Sequence, residues 1–142
     1  MVDDISRPVH VLAALERFRR RIDADLRRLA SEELRHLRGS HGRILDLLGD
    51  EGTRPSALAA DTWITKQAIS QRIRELEAAG LVETTPDPTD GRAVVVKRTV
   101  EGDQVRASAV ATIRAAETEW VNLVGPDRYA TFRQVIDELG LG

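Results

Sequence analysis

The chain has no cysteine among its 142 residues. That excludes a disulfide framework, a thiolate zinc site and a thiol redox switch. Aromatic residues make up only 4%, so a core must be built from Leu, Ile, Val and Ala, as in many helical proteins. No apolar run approaches the roughly 18–20 residues needed to cross a bilayer. Met1-Val2-Asp3-Asp4 is acidic and lacks the basic-then-apolar order of a secretion signal, so the expected location is the cytoplasm. An excess of positive charge is missing too. The net charge is −2, so bulk electrostatics announce no nucleic-acid partner, and any cationic face has to be assembled locally. No Gly-rich phosphate loop, Gly-x-Ser-x-Gly elbow or His-Glu-x-x-His motif occurs. No nucleophile–base set can be assembled from local motifs, which argues against an enzyme; no catalytic residue and no cofactor is expected. His36 and His41 could approach Glu32 or Glu33, but that spacing is not diagnostic of a metal site, and none is expected.

What is present is apolar periodicity. Apolar residues are 42% of the chain, enough for a core. Val9, Leu12, Leu15, Phe18, Ile22, Leu26 and Leu29 recur in steps of three and four and predict an amphipathic helix opening near Ser6-Arg7-Pro8. Its arginines (Arg17, Arg19, Arg20, Arg21, Arg27, Arg28) read either as a nucleic-acid patch or as a solvated face balanced by Asp23 and Asp25. Glu16 with Arg20 and Asp23 with Arg27 have the spacing of ion pairs along the helix. Ser40 is placed to cap a short helix carrying Ile44, Leu45, Leu47 and Leu48, with Gly49 or Gly52 ending it. A second short helix over 55–60, a connection through Thr62-Trp63-Ile64, and a helix from Thr65 to Ala79 stopped by Gly80 make a helix-turn-helix pattern. Residues 81–85 and 93–99 favour strands and flank the turn-rich Pro86-Asp87-Pro88-Thr89-Asp90-Gly91-Arg92, which predicts a hairpin, or wing. Thr99 can cap a long helix carrying Val105, Ala109, Ile113, Ala116, Trp120 and Leu123 at nearly coiled-coil spacing. Gly125-Pro126-Asp127 interrupts it before a last helix with Tyr129, Phe132, Ile136 and Leu139. The expected fold is mostly α with a small β wing: a winged helix-turn-helix of four helices, two strands and two helices. Residues 40–99 form the winged lobe, and 8–38 with 100–140 form a helical lobe. Long amphipathic terminal helices with nothing to cover them suggest dimerisation.

The helix from Thr65 to Ala79 carries the chemistry. At about 100° per residue, Ile69, Ile73 and Leu76 share the core face, and Lys66, Gln67, Ser70, Gln71 and Arg74 share the opposite one. That second face holds an ammonium, two amides, a hydroxyl and a guanidinium, and no acid. Gln can bond bidentately to adenine, Lys and Arg to guanine, and Ser to several base edges. Lys66, Gln67, Ser70 and Gln71 are therefore candidate base readers, with Thr65 a further DNA-binding candidate at the helix start and Arg74 further along at a phosphate. The bland alternative is an ordinary polar surface helix. At the hairpin tip, Arg92 can enter a minor groove, with Asp90 two residues earlier holding its guanidinium beside Gly91. Alternatively, Asp90 and Gly91 serve only the turn. Arg54, Ser56 and Arg72 are further candidate phosphate contacts.

These residues resemble a known family. Ile64-Thr65-Lys66-Gln67-Ala68-Ile69-Ser70-Gln71 and Leu76-Glu77-Ala78-Ala79-Gly80-Leu81-Val82-Glu83 look like the recognition helix and its exit in the multiple-antibiotic-resistance regulator (MarR) family. Asp87-Pro88-Thr89-Asp90-Gly91-Arg92 resembles the family's wing tip, and Thr99-Val100-Glu101-Gly102 the start of its dimer helix. The likeness is sharpest over about residues 40–102. It implies one MarR-type domain over 1–142 and a homodimer joined by its terminal helices. It further implies double-stranded DNA as partner, a pseudo-palindromic operator, and repression relieved by a small, often aromatic, anion bound between the lobes. His41 and Arg43 are the candidate effector contacts. Several positions depart from the family pattern. Trp63 replaces a small residue in the turn, Thr84 and Thr85 replace basic residues at the wing base, and Arg72 and Arg98 stand where Leu is common. Arg72 either reaches toward phosphate or packs its stem along the core. A reading of a different class is a winged helix that docks on another protein and binds no DNA.

Overall fold

The computed structural model describes residues 10–62 and 64–140. The expected helix start at Ser6-Arg7-Pro8 and the role of Trp63 in the turn lie outside them. The elements run α1 (Val11–Leu29), α2 (Glu32–Arg35), α3 (Gly39–Leu47), α4 (Pro55–Thr62), α5 (Lys66–Ala78), β1 (Val82–Asp87), β2 (Asp90–Arg98), α6 (Val100–Val124) and α7 (Pro126–Gly140). The expected order holds, with one addition: α2, a single turn too short to show a periodic pattern. Among the described residues no helix is long and apolar enough to cross a membrane. Residues 31–111 form one unit, and the described residues up to 30 and from 112 onward form another.

In the unit of residues 31–111, Ile44, Leu45 and Leu48 of α3 and its end, Leu58 of α4, and Ile69, Ile73 and Leu76 of α5 are buried together. Leu81, Val82, Val96 and Val105 complete this core. Each such side chain contributes roughly 1.5–3 kcal/mol by leaving water. The cap of α3 differs from expectation. The helix begins at Gly39, not behind Ser40, and His41 Nδ1 accepts the backbone N–H of Arg38 at 3.1 Å. An imidazole thus does what a Glu or Gln does at the third position of a capping box. Thr65 caps α5, its hydroxyl accepting from the Ala68 N–H at 3.2 Å.

Helix α5 ends in a Schellman turn. Gly80 has φ +72°, its N–H reaches Glu77 O at 2.9 Å, and the Leu81 N–H reaches Leu76 O at 2.9 Å. The accompanying contact between Leu76 and Leu81 is buried. The chain is thereby aimed into β1, which pairs antiparallel with β2 from Val82↔Arg98 to Pro86↔Val94, with an irregularity at Pro86/Asp87. The strands run closer to the tip than the sequence pattern predicts, leaving Pro88-Thr89 as the loop. Asp87 Oδ1 tightens it by accepting from the Thr89 N–H and hydroxyl, both at 2.8 Å. Thr53 adds a bridge to Val96. At the start of α6, Thr99 Oγ1 accepts the Gly102 N–H at 3.0 Å and donates to Gly80 O at 2.6 Å. Gly102 packs so closely on Leu81 that a β-carbon there would lie 1.9 Å from Leu81 O.

In the other unit, four of the chain's five aromatic residues sit close together. Phe18 meets Trp120 at 5.6 Å and Phe132 at 5.4 Å between ring centroids, both edge-on, and Tyr129 lies 6.0 Å from Phe132. Beside them Asp25, 6% exposed, accepts from Trp120 Nε1 at 2.9 Å, Arg21 Nε at 2.6 Å and Arg28 Nη2 at 3.3 Å. The indole N–H and the two guanidinium groups hold its carboxyl down at about 2. Asp25 is therefore a buried hub, not a residue of the wet face. Arg19 takes both Glu16 and Asp23, at 3.2 and 3.1 Å, so Asp23 pairs with Arg19 and not with Arg27. Arg28 also pairs with Glu119. Leu12, Leu123 and Leu139 nevertheless stay 70%, 68% and 83% exposed.

Candidate nucleic-acid interface

Helix α5 divides as its sequence predicts. Ile69, Ile73 and Leu76 are buried, and Lys66, Gln67, Ser70, Gln71 and Arg74 are all exposed. The exposed side chains are not independent. The Ser70 hydroxyl donates to Lys66 O at 3.0 Å. Arg74 Nη2 donates to Gln71 Oε1 at 2.8 Å, and Gln71 Nε2 donates to Glu75 Oε1 at 3.1 Å. The sequence pattern sets Glu75 apart from this face, but the structure ties it to Gln71. Arg72 donates Nη1 to both Glu75 oxygens, at 2.8 and 3.1 Å, and so neither reaches outward nor merely packs its stem. Arg72, Gln71 and His41 together pull the Glu75 carboxyl down to about 2.

His41 is placed otherwise than as a contact for an anionic effector. It is 6% exposed, with Nδ1 on the Arg38 N–H and Nε2 2.6 Å from Glu75 Oε2. Both ring nitrogens are spent inside the protein. Arg43 is exposed and has no ion pair among the described residues. His36, His41, Glu32 and Glu33 do not converge into a group able to hold a metal.

In the wing, Gly91 and Arg92 are exposed at the start of β2. Asp90 Oδ1 accepts the backbone N–H of Arg92 at 3.1 Å. It thus fixes the turn and leaves the guanidinium to project, in contrast to the side-chain contact that the sequence suggests. Arg54 is drawn away from a purely outward role. Its Nε and Nη2 both lie 2.7 Å from Oδ2 of the buried Asp87, pinning the start of α4 to the hairpin end. Thr89 and then Arg54 hold the Asp87 carboxyl down at about 2. Ser56 is exposed in the first turn of α4.

Sequence reasoning gives Arg98 no role. Its guanidinium, 8% exposed, donates to Leu45 O at 3.0 Å, to Leu48 O, to Asp50 at 2.9 Å and to Asp103 at 2.6 Å. It therefore satisfies orphan carbonyls at the end of α3 and ties them to the first turn of α6. The signal is present as an Arg at a Leu position inside a strand, yet its α3 partners, Leu45 and Leu48, lie 53 and 50 residues away in sequence.

Two short helices with α5 presenting a cationic and amide-bearing face, followed by a hairpin with an exposed arginine at its tip, define a winged helix-turn-helix protein. Residues 37–93 match the family model described as MarR family. HTH-type transcriptional repressor Rv2887 of Mycobacterium tuberculosis is 27% identical over 89 residues, 63% of this chain and 64% of that protein. The chain thus aligns with under two thirds of that relative's length. Among solved structures, the transcriptional repressor CouR bound to a 23-mer DNA duplex superposes with a TM-score of 0.80 at 20% identity, over 92% of each chain. The PcaV transcriptional regulator of Streptomyces coelicolor, in complex with its natural ligand, gives 0.77 at 20% identity, over 93% of this chain and 92% of that one. At such identities the structural likeness speaks for the fold alone.

Proposed function

We propose that the protein is a transcriptional repressor, and not an enzyme, that binds a pseudo-palindromic DNA operator as a homodimer. The observation that carries the reading is the simultaneous exposure of Lys66, Gln67, Ser70, Gln71 and Arg74 on one face of α5, with Arg92 exposed at the wing. Lys66, Gln67, Ser70 and Gln71 lie toward the helix N-terminus, the end that enters a major groove, and Thr65 keeps a hydroxyl proton available beside them. Arg74 and Ser56 suit phosphates, and Arg92 suits the narrower groove. Arg54 and Arg72 act first on Asp87 and Glu75, and only their remaining N–H groups are left for phosphate. The DNA-bound state of CouR supports the nucleic-acid partner.

Exposed apolar side chains on α1, α6 and α7, including Leu12, Leu123 and Leu139, support pairing with a second copy. In a homodimer the half-sites lie about 34 Å apart, one helical turn. The ligand-bound state of PcaV supports release by a small effector; for an anionic one, Arg43 is an exposed cation. Cytoplasmic location follows from this function.

The test is a fluorescence-anisotropy titration of a duplex from the gene's own upstream region against a scrambled duplex at two salt concentrations. Selective, salt-sensitive binding is expected. Equal binding to both, followed by failure to select any sequence from random duplexes, would overturn the reading in favour of a protein-docking winged helix.

A further inference from the structure

We propose that Glu75 and His41 are positioning residues for base selection, holding the Gln71 amide in one orientation toward the base it reads. The inference rests on the reading of α5 as the base-reading helix. An amide group has two N–H donors and two acceptor lone pairs. In Gln71 one donor is taken by Glu75 Oε1 at 3.1 Å and one lone pair by Arg74 Nη2 at 2.8 Å. One donor and one acceptor stay free, which is the pair that a bidentate contact to adenine uses. The two intramolecular bonds also fix which end of the amide is oxygen. An unrestrained glutamine samples both orientations and several rotamers, and loses that freedom only on binding.

Glu75 orients Gln71 only if it is itself held. Arg72 Nη1 binds both of its oxygens, and His41 Nε2 lies 2.6 Å from Oε2. His41 is oriented in turn, because its Nδ1 accepts the Arg38 N–H at 3.1 Å. A nitrogen that accepts carries no proton, so the proton sits on Nε2 and is donated to Glu75. The result is a continuous chain of hydrogen bonds from the first turn of α3, through the buried His41, to the exposed face of α5. The same pairing offsets an electrostatic cost. A bare carboxylate next to the reading face would repel phosphate, and the Arg72 guanidinium cancels its charge on the spot.

The experiment measures binding of wild type, Glu75→Ala, His41→Ala, Gln71→Ala and the Glu75→Ala/Gln71→Ala pair to duplexes that vary the operator one base pair at a time. The salt slope on one duplex is measured alongside. Glu75→Ala is expected to lower discrimination roughly ten-fold at the base pair that Gln71→Ala affects, the order of the rotamer freedom a fixed glutamine forgoes. His41→Ala should show a smaller loss at the same base pair. Preferences elsewhere should stay as in wild type, the salt slope should not fall, since Glu75→Ala frees the Arg72 cation, and Glu75→Ala should cost no further discrimination in the Gln71→Ala background. A merely structural role would instead weaken binding to all duplexes alike, and that outcome overturns the inference. So does an unaltered preference profile in Glu75→Ala beside a selective wild type. A wild type that selects no sequence overturns the DNA-reading proposal itself, and the inference falls with it.

Discussion

Replacing Gly102 with alanine puts the junction of α5, the wing and α6 under direct test. The new β-carbon would stand 1.9 Å from Leu81 O, 3.0 Å from Leu81 C and 3.4 Å from Arg98 Cβ. Two of those neighbours are backbone, so relief requires the chain to part by about 1.5 Å to restore ordinary contact, not a side chain to turn. The parting strains two hydrogen bonds, Thr99 N–H to Leu81 O at 3.1 Å and Thr99 Oγ1 to Gly80 O at 2.6 Å. Their loss costs about 1 kcal/mol each, and forced overpacking adds roughly 1–3 kcal/mol. Against this, alanine in a helix is favoured over glycine by about 1 kcal/mol. The net expectation is a destabilisation of about 3 kcal/mol, which for a chain of this size lowers Tm by on the order of 10 °C. Urea and thermal unfolding followed by circular dichroism, at matched protein concentration, measure it. Gly42→Ala is the internal control: a β-carbon there would meet nothing within 4 Å, and it should stabilise α3 by roughly 0.5–1 kcal/mol. A Gly102→Ala protein as stable as wild type, or more so, would refute the close-approach argument.

Three further outcomes are expected. Arg92→Ala should weaken duplex binding and reduce the slope of log K against log salt by about 0.9; an unchanged slope denies the wing arginine a DNA contact. Arg98→Ala should lower unfolding stability by about 2 kcal/mol, since it leaves the Leu45 and Leu48 carbonyls without their donor, and unaltered urea midpoints would dismiss that role. Asp25, Glu75 and Asp87 each fall to about 2 from ordinary values of 3.8, 4.5 and 3.8. A carboxylate depressed on folding contributes stability above its unfolded value and loses it as pH falls through the folded one. Urea midpoints should therefore drop between about pH 4.5 and 2. The drop should be gentler in Asp87→Asn, and an equal drop in that variant counts against the Asp87 cluster.

The order of elements and the two faces of α5 were legible because both rest on local periodicity. Ile69, Ile73 and Leu76 recur at helical spacing, and any helix that buries them must expose Gln67, Gln71 and Arg74. Thr65, Gly80, Thr99 and Pro126 marked helix ends because capping is decided within a few residues. Apart from Glu16 with Arg20, 4.0 Å apart as their spacing suggests, the partners of charged side chains went unread. Asp25 looks like part of a solvated face until Trp120 bonds to it, and Arg54 and Arg72 look like phosphate ligands until Asp87 and Glu75 claim them. His41 looks available to a ligand until α5 takes its second nitrogen. A charge interacts with whatever the fold brings within a few ångströms; spacing along a helix offers several such neighbours without choosing among them, and says nothing of partners on other elements. Local chemistry along the chain thus settles which helices form, which face of each is apolar and which family the chain resembles. Which polar groups on the reading face are free and which are already bound is settled by packing, because burial and long-range proximity exist only once the chain has folded.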